Sequence, residues 1–119
     1  MQEDKLSDRS LDFAVAIIEL VKDLKQKKET VISNQIGRSG TSIGANIHEA
    51  RYAHSKADFV AKLQIALKES NETAYWLELL FRTNYIDEAA YKSLDSACTS
   101  IRAMLVASIN TAKKNAQSQ

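Results

Sequence analysis

The chain contains no proline, and its 119 residues include only three glycines and one cysteine. With so few breakers, nothing interrupts long helices except short turns. A lone Cys98 excludes an intramolecular disulfide, and its place in an apolar helical pattern predicts a buried, inert thiol. An excess of one charge is also missing. Sixteen Lys and Arg stand against 15 Asp and Glu, a net charge of +1, which gives no general attraction for nucleic acid or a membrane surface. No apolar run approaches the ~20 residues that span a bilayer. The N-terminus opens polar without a signal-peptide layout, so the expected location is cytoplasmic.

What is present is helical periodicity. Apolar residues make up 45% of the chain, enough for one compact domain over residues 1–119. Apolar positions recur at steps of three and four in four segments, about 7–28, 30–53, 56–83 and 87–114. Ser7 and Thr30 are candidate N-caps of the first two, and Ser55 with Asp58 resembles a capping box for the third. Asn84 suits a left-handed C-terminal position, and Asp87 can cap the fourth segment. Four long helices on short links predict an all-α, antiparallel up-down-up-down four-helix bundle. Its expected interior includes Ile36, Gly40, Ile43, Ile47, Leu63, Ala66, Leu77, Leu94 and Ile101. On the fourth helix the expected seam is Leu94, Ala97, Ile101, Met104 and Ser108, with Cys98, Leu105 and Ile109 beside it.

The second helix carries two stripes. Beside the apolar seam runs a polar row of Gln35, Arg38, Ser42, Asn46 and Glu49 at the same spacing. Hydrogen-bonding groups set next to a core seam point to partners on another helix. Folding the third helix back on the second brings Arg38 level with Glu69 and Glu72, and Asn46 and Glu49 level with Lys62. A register-fixing role is the first expectation, and ligand anchoring is the alternative. A buried Arg38 pair would be costly to break. All three glycines (Gly37, Gly40, Gly44) lie in this helix although each costs about 1 kcal/mol there, which predicts close backbone approach.

The stretches 13–24 and 74–81 are apolar around most of the helix circumference. Cover from a second subunit is expected, with Phe13, Ile17, Tyr75, Trp76 and Leu79 at the interface. The competing reading lays the aromatic rings flat on the surface with their polar tips in water. Chemistry is sparse. No Glu-x-x-His pair is present for a di-iron site, His48 and His54 read as solvated or locally bonded, and no nucleophile or phosphate loop is evident. Neither enzymatic activity nor a cofactor is expected.

Residues 38–50 (RSGTSIGANIHEA), 55–59 (SKADF) and 63–80 (LQIALKESNETAYWLELL) closely resemble the bacterial four-helix-bundle family of 23S rRNA intervening sequence proteins. These motifs cover about half the chain. The resemblance implies a ring-like homopentamer without enzymatic activity. That family is similar to the accessory protein of diversity-generating retroelements, which binds nucleic acid and a reverse transcriptase. By that resemblance RNA or a ribonucleoprotein is the expected partner. Its phosphates would meet Lys25, Lys27 and Lys28 together with Lys113 and Lys114 from a neighbouring helix end, and Arg9 and Lys22 could add to that patch. The alternative is a protein-interaction module that docks through the aromatic surface around Tyr75 and Trp76.

Overall fold

The structure is a computed structural model that describes residues 2–117. Among them are four helices and no strand: α1 (Gln2–Gln26), α2 (Val31–Ala50), α3 (Lys56–Arg82) and α4 (Glu88–Gln117). Each helix packs only on its two neighbours in the cyclic order α1, α2, α3, α4. Side-chain pairings fix the directions. Gly40 lies against Ile17 and Gly44 against Ser10; Arg38 reaches Glu69, while Ala50 lines a cavity with Phe59. Phe81 stacks on Tyr91 and Cys98 meets Ser70; Arg9 meets Ser100, while Leu6 lines a cavity with Ser108. Every neighbouring pair is therefore antiparallel, in a bundle 53 Å long.

Ile36, Gly40, Ile43, Ile47, Leu63, Ala66, Leu77 and Ile101 are buried as the periodicity predicts. The α4 seam is rotated from its expected face. Cys98, Ile101, Leu105 and Ile109 are buried, while Leu94 and Met104 are half-buried and Ala97 is exposed. The two candidate faces overlap at Ile101, and periodicity alone cannot choose the one that α3 covers. Cys98 donates to the Ser70 carbonyl at 3.4 Å, and burial pushes its thiol up to about 11.

The helix ends differ from expectation in instructive ways. α1 starts before Ser7, because good helix formers precede it and Leu6 extends the buried seam by a turn. Ser7 is therefore interior, and its carbonyl accepts from the Ser10 hydroxyl. α1 ends at Gln26 rather than Lys28. Lys28 takes the left-handed conformation (φ 64°), and Glu29 N–H bonds the Leu24 carbonyl at 2.9 Å while Lys28 N–H bonds that of Lys25 at 3.0 Å. This is a Schellman closure on a lysine. The same closure recurs at Asn84 (φ 66°), as expected there, with Tyr85 N–H on the Leu80 carbonyl. α2 stops at Ala50 because the next three amides bond carbonyls three residues back, tightening the chain into a turn. Ser55 and Asp87 cap α3 and α4 as predicted, accepting from Asp58 N–H and Ala90 N–H. α4 runs through Gln117, past the expected end at Lys114; Ser118 and Gln119 lie outside the described residues.

Thr30 does not cap α2. It occupies the N-cap position with no side-chain bond. The Glu29 carboxylate accepts instead from Val31, Ile32 and Ser33 N–H at 3.2, 3.1 and 2.7 Å.

Candidate functional site

The glycines of α2 face α1, and this settles why they are there. A β-carbon on Gly40 would sit 2.9 Å from both Cγ1 and Cγ2 of Ile17. The two helices approach so closely only because position 40 is bare.

The polar row lies on the opposite flank of α2, beside α3. Arg38 Nη1 donates to Glu69 Oε2 at 3.1 Å, and Nη2 donates to Glu72 Oε2. Indole Nε1 of Trp76 donates to the same Glu72 oxygen at 3.0 Å. The Arg38 side chain is 49% exposed, so this is a solvent-facing pair rather than a buried one. Loss of Arg38 leaves two carboxylates that water can reach, and the large penalty of a buried orphan charge does not apply. Asn46 turns back onto its own helix, donating to the Ser42 carbonyl, while Gln35 and Glu49 are exposed. The buried contact between α2 and α3 is instead Thr73 Oγ1 donating to Ser39 Oγ at 2.8 Å. Ser39 sits one residue off the row, and only its serine-threonine pairing across antiparallel helices could have signalled it.

The indole N–H, followed by Arg38, holds the Glu72 carboxyl below the usual carboxylate range against an opposing desolvation effect. Because the folded-state value is depressed, Glu72 contributes stability above its ordinary 4.5 and loses it as pH falls through the folded value. Trp76 is the only tryptophan, so its fluorescence reports that proton. We expect an acid titration of the emission with a midpoint below 4.5, abolished in Glu72→Gln. A midpoint at or above the ordinary value would show that the indole contact does not hold.

The lysines fall into two groups rather than one. Lys27 donates to the Tyr85 carbonyl at the α3–α4 turn, so Lys25, Lys27 and Lys28 sit at that end of the bundle. Leu6 shares a small apolar cavity with Ser108, which puts Lys113 and Lys114 at the other end. An antiparallel α1 and α4 cannot bring both C-termini together. Arg9, level with Ser100, is also remote from the α1 C-terminus. Lys27 is additionally paired with Asp23 at 2.9 Å, and Lys22 with Glu19 at 3.6 Å.

The expected interface residues also divide. Phe13 and Ile17 are 3% and 0% exposed within a single chain, so they are core and unavailable to a second subunit. The row that α1 leaves open is Leu11, Val15 and Ile18. Tyr75 is exposed and set edge-on to Trp76, their ring centroids 5.0 Å apart; Trp76 and Leu79 are half-buried. Between α1 and α4 lies an open cleft of about 280 Å³, floored by Phe13, Leu94 and Ile101 with Arg9 and Asp12 on its rim. His48 packs against Tyr52, and His54 N–H bonds Asp58. Among the described residues no cluster of His, Cys, Asp and Glu could hold a metal ion, and no helix is long and apolar enough to cross a membrane.

The geometry defines an all-α bundle whose polar contacts serve helix packing. A family model for the 23S rRNA-intervening sequence protein matches residues 2–107. The chain belongs to that family. It is similar in structure to a protein of unknown function from the S23 ribosomal protein family of Bacteroides thetaiotaomicron VPI-5482, seen in a crystal structure at 1.70 Å resolution. The two share 54% identity with a TM-score of 0.91, over 92% of this chain and 99% of the other. No curated protein matches the chain.

Proposed function

We propose that this protein is a non-enzymatic homo-oligomer, a scaffold of five copies as the sequence resemblance implies. The observation that carries the reading is the uncovered row on α1. Leu11, Val15 and Ile18 stand at i, i+4 and i+7 and are 65%, 57% and 42% exposed. A single exposed apolar residue needs no explanation, but three aligned on one helix face mark a surface that another protein covers. Light scattering at micromolar concentration should give about five times the 13.3 kDa of one chain. Val15→Glu, which places a charge in the middle of the row, should shift the population toward the single-chain mass with helicity retained. A wild-type protein running at 13.3 kDa would sink the proposal.

RNA or a ribonucleoprotein is the partner this scaffold would carry. Assembly side by side would repeat Lys25, Lys27 and Lys28 around one rim and Lys113 and Lys114 around the other. Such repetition raises avidity without raising the affinity of any one copy. Contacts of this kind go to phosphates, so binding should be sequence-tolerant and weaken steeply with salt. Reversing charge at Lys113 and Lys114, and separately at Lys27 and Lys28, would show which rim is used. If neither change weakens binding, the lysines are not the contact. The exposed Tyr75 favours the second reading, a protein partner docked on the α3 aromatic surface; it gains if no RNA binds at low salt.

A further inference from the structure

The α1 row needs a surface to rest on, and α4 offers one with unusual composition. Every exposed position of α4 from Ser93 to Thr111 is uncharged. Ala97, Ala103 and Ala107 are among them, and Val106, 42% exposed, is the largest side chain on the face. In a chain with 26% charged residues, a solvated helix face of five turns would carry several. Small side chains also let another helix come close, whereas a face of lysines and glutamates would hold it off.

We infer that the exposed α1 row of one copy seats on the uncharged outward face of α4 in the next. This rests on the proposed homo-oligomer and names its contact. Three observations select a second copy as the occupant. The first is shape: one face presents a row of branched apolar side chains, and the other presents small ones beside an open cleft. The second is charge. The row is edged by Asp8 and Asp12, with Glu19 paired to Lys22 beyond it, whereas from Ser96 to its end α4 carries only Arg102, Lys113 and Lys114.

The third is closure. A contact between two different faces is heterologous and repeats from copy to copy, forming a ring if the rotation closes. α1 and α4 are adjacent corners of the bundle, so their outward directions differ by roughly a right angle. Each copy then turns by a similar amount relative to the last. The chain of contacts closes after about four or five copies, with the bundle axes running along the ring axis. Helices at opposite corners, such as α1 and α3, would instead favour an open line of copies.

Cysteine cross-linking tests this on the full chain, because the native Cys98 is buried and its thiol is held up by burial. The double variant V15C/S96C, which pairs exposed positions at the same height of the bundle, should when oxidised and run without reductant give a ladder of covalent species that ends at the closed ring. Neither single variant should link. Linking by V15C alone would establish an α1-to-α1 twofold and overturn the inference. No linking by the double variant, with light scattering still showing an oligomer, would overturn the α1–α4 contact while leaving the oligomer standing. A wild-type protein at the single-chain mass would overturn both.

Discussion

Gly40→Ala should destabilise the protein, although alanine is the best helix former and glycine nearly the worst. The substitution recovers about 1 kcal/mol of helix propensity. It also places a methyl group 2.9 Å from Cγ1 and Cγ2 of Ile17. Ile17 is fully buried and stiff at χ1 because it is β-branched, so it has nowhere to turn. Overpacking of this kind costs about 1 to 3 kcal/mol and outweighs the propensity gain. Gly40→Val should be worse, about 3 kcal/mol or more by the same argument. Gly37→Ala is the internal control, since its new methyl meets only Val21 Cγ2 at 3.3 Å, on a half-buried side chain. It should be neutral or stabilising. Urea midpoints at one fixed protein concentration decide the matter. A further check is Ile17→Ala, which removes both clashing atoms. In a double-mutant cycle the cost of Gly40→Ala should shrink in that background. A Gly40→Ala protein as stable as the parent would mean that α1 and α2 are not in this close contact.

Glu29→Ala should cost about 2 to 3 kcal/mol, the range for losing charge-assisted bonds and orphaning buried donors. Glu29 is 8% exposed, and its carboxylate takes three backbone N–H groups at the start of α2. Two of those donors belong to buried residues, Ile32 and Ser33, where water cannot replace the lost acceptor. Glu29→Gln keeps one acceptor oxygen and should lose roughly half as much. Thr30→Ala should be close to silent, because Thr30 makes no side-chain bond at the cap. This inverts the order that cap preferences alone assign, in which threonine is favoured. The ranking of the three midpoints is the readout, and a Thr30→Ala loss larger than that of Glu29→Ala would sink the assignment.

The helix ends show where local sequence is sufficient. At Ser55 and Asp87 the side chain and the amide it caps are three residues apart, so the caps are legible without tertiary information. At Glu29 they are not. Its carboxylate reaches α2 only because the left-handed turn at Lys28 redirects the chain, and lysine gives no warning of that conformation. Asn84 does, and its turn is as expected. Interior positions on α2 and α3 followed from periodicity because one broad face of each is covered. On α4 two adjacent faces were nearly equal in apolar content, and the neighbour that covers one of them is far away in sequence.

The same division runs through the candidate sites. The pairing of Arg38 with Glu69 and Glu72 could be anticipated, because a short link between α2 and α3 fixes their register; its exposure could not. The two lysine clusters were expected at neighbouring helix ends and lie at opposite ends of a rod, since an antiparallel order separates the C-termini of α1 and α4. Phe13 and Ile17 looked available because α1 is apolar around its circumference. The sequence by itself determined four helices, their order and most of the core, because these depend on spacing within a helix and on short connections. Only the tertiary structure decided which apolar face of α1 is buried and which is left exposed. That choice depends on how closely α1 can approach α2, and the bare α-carbon of Gly40 permits Ile17, rather than Val15, to lie inside.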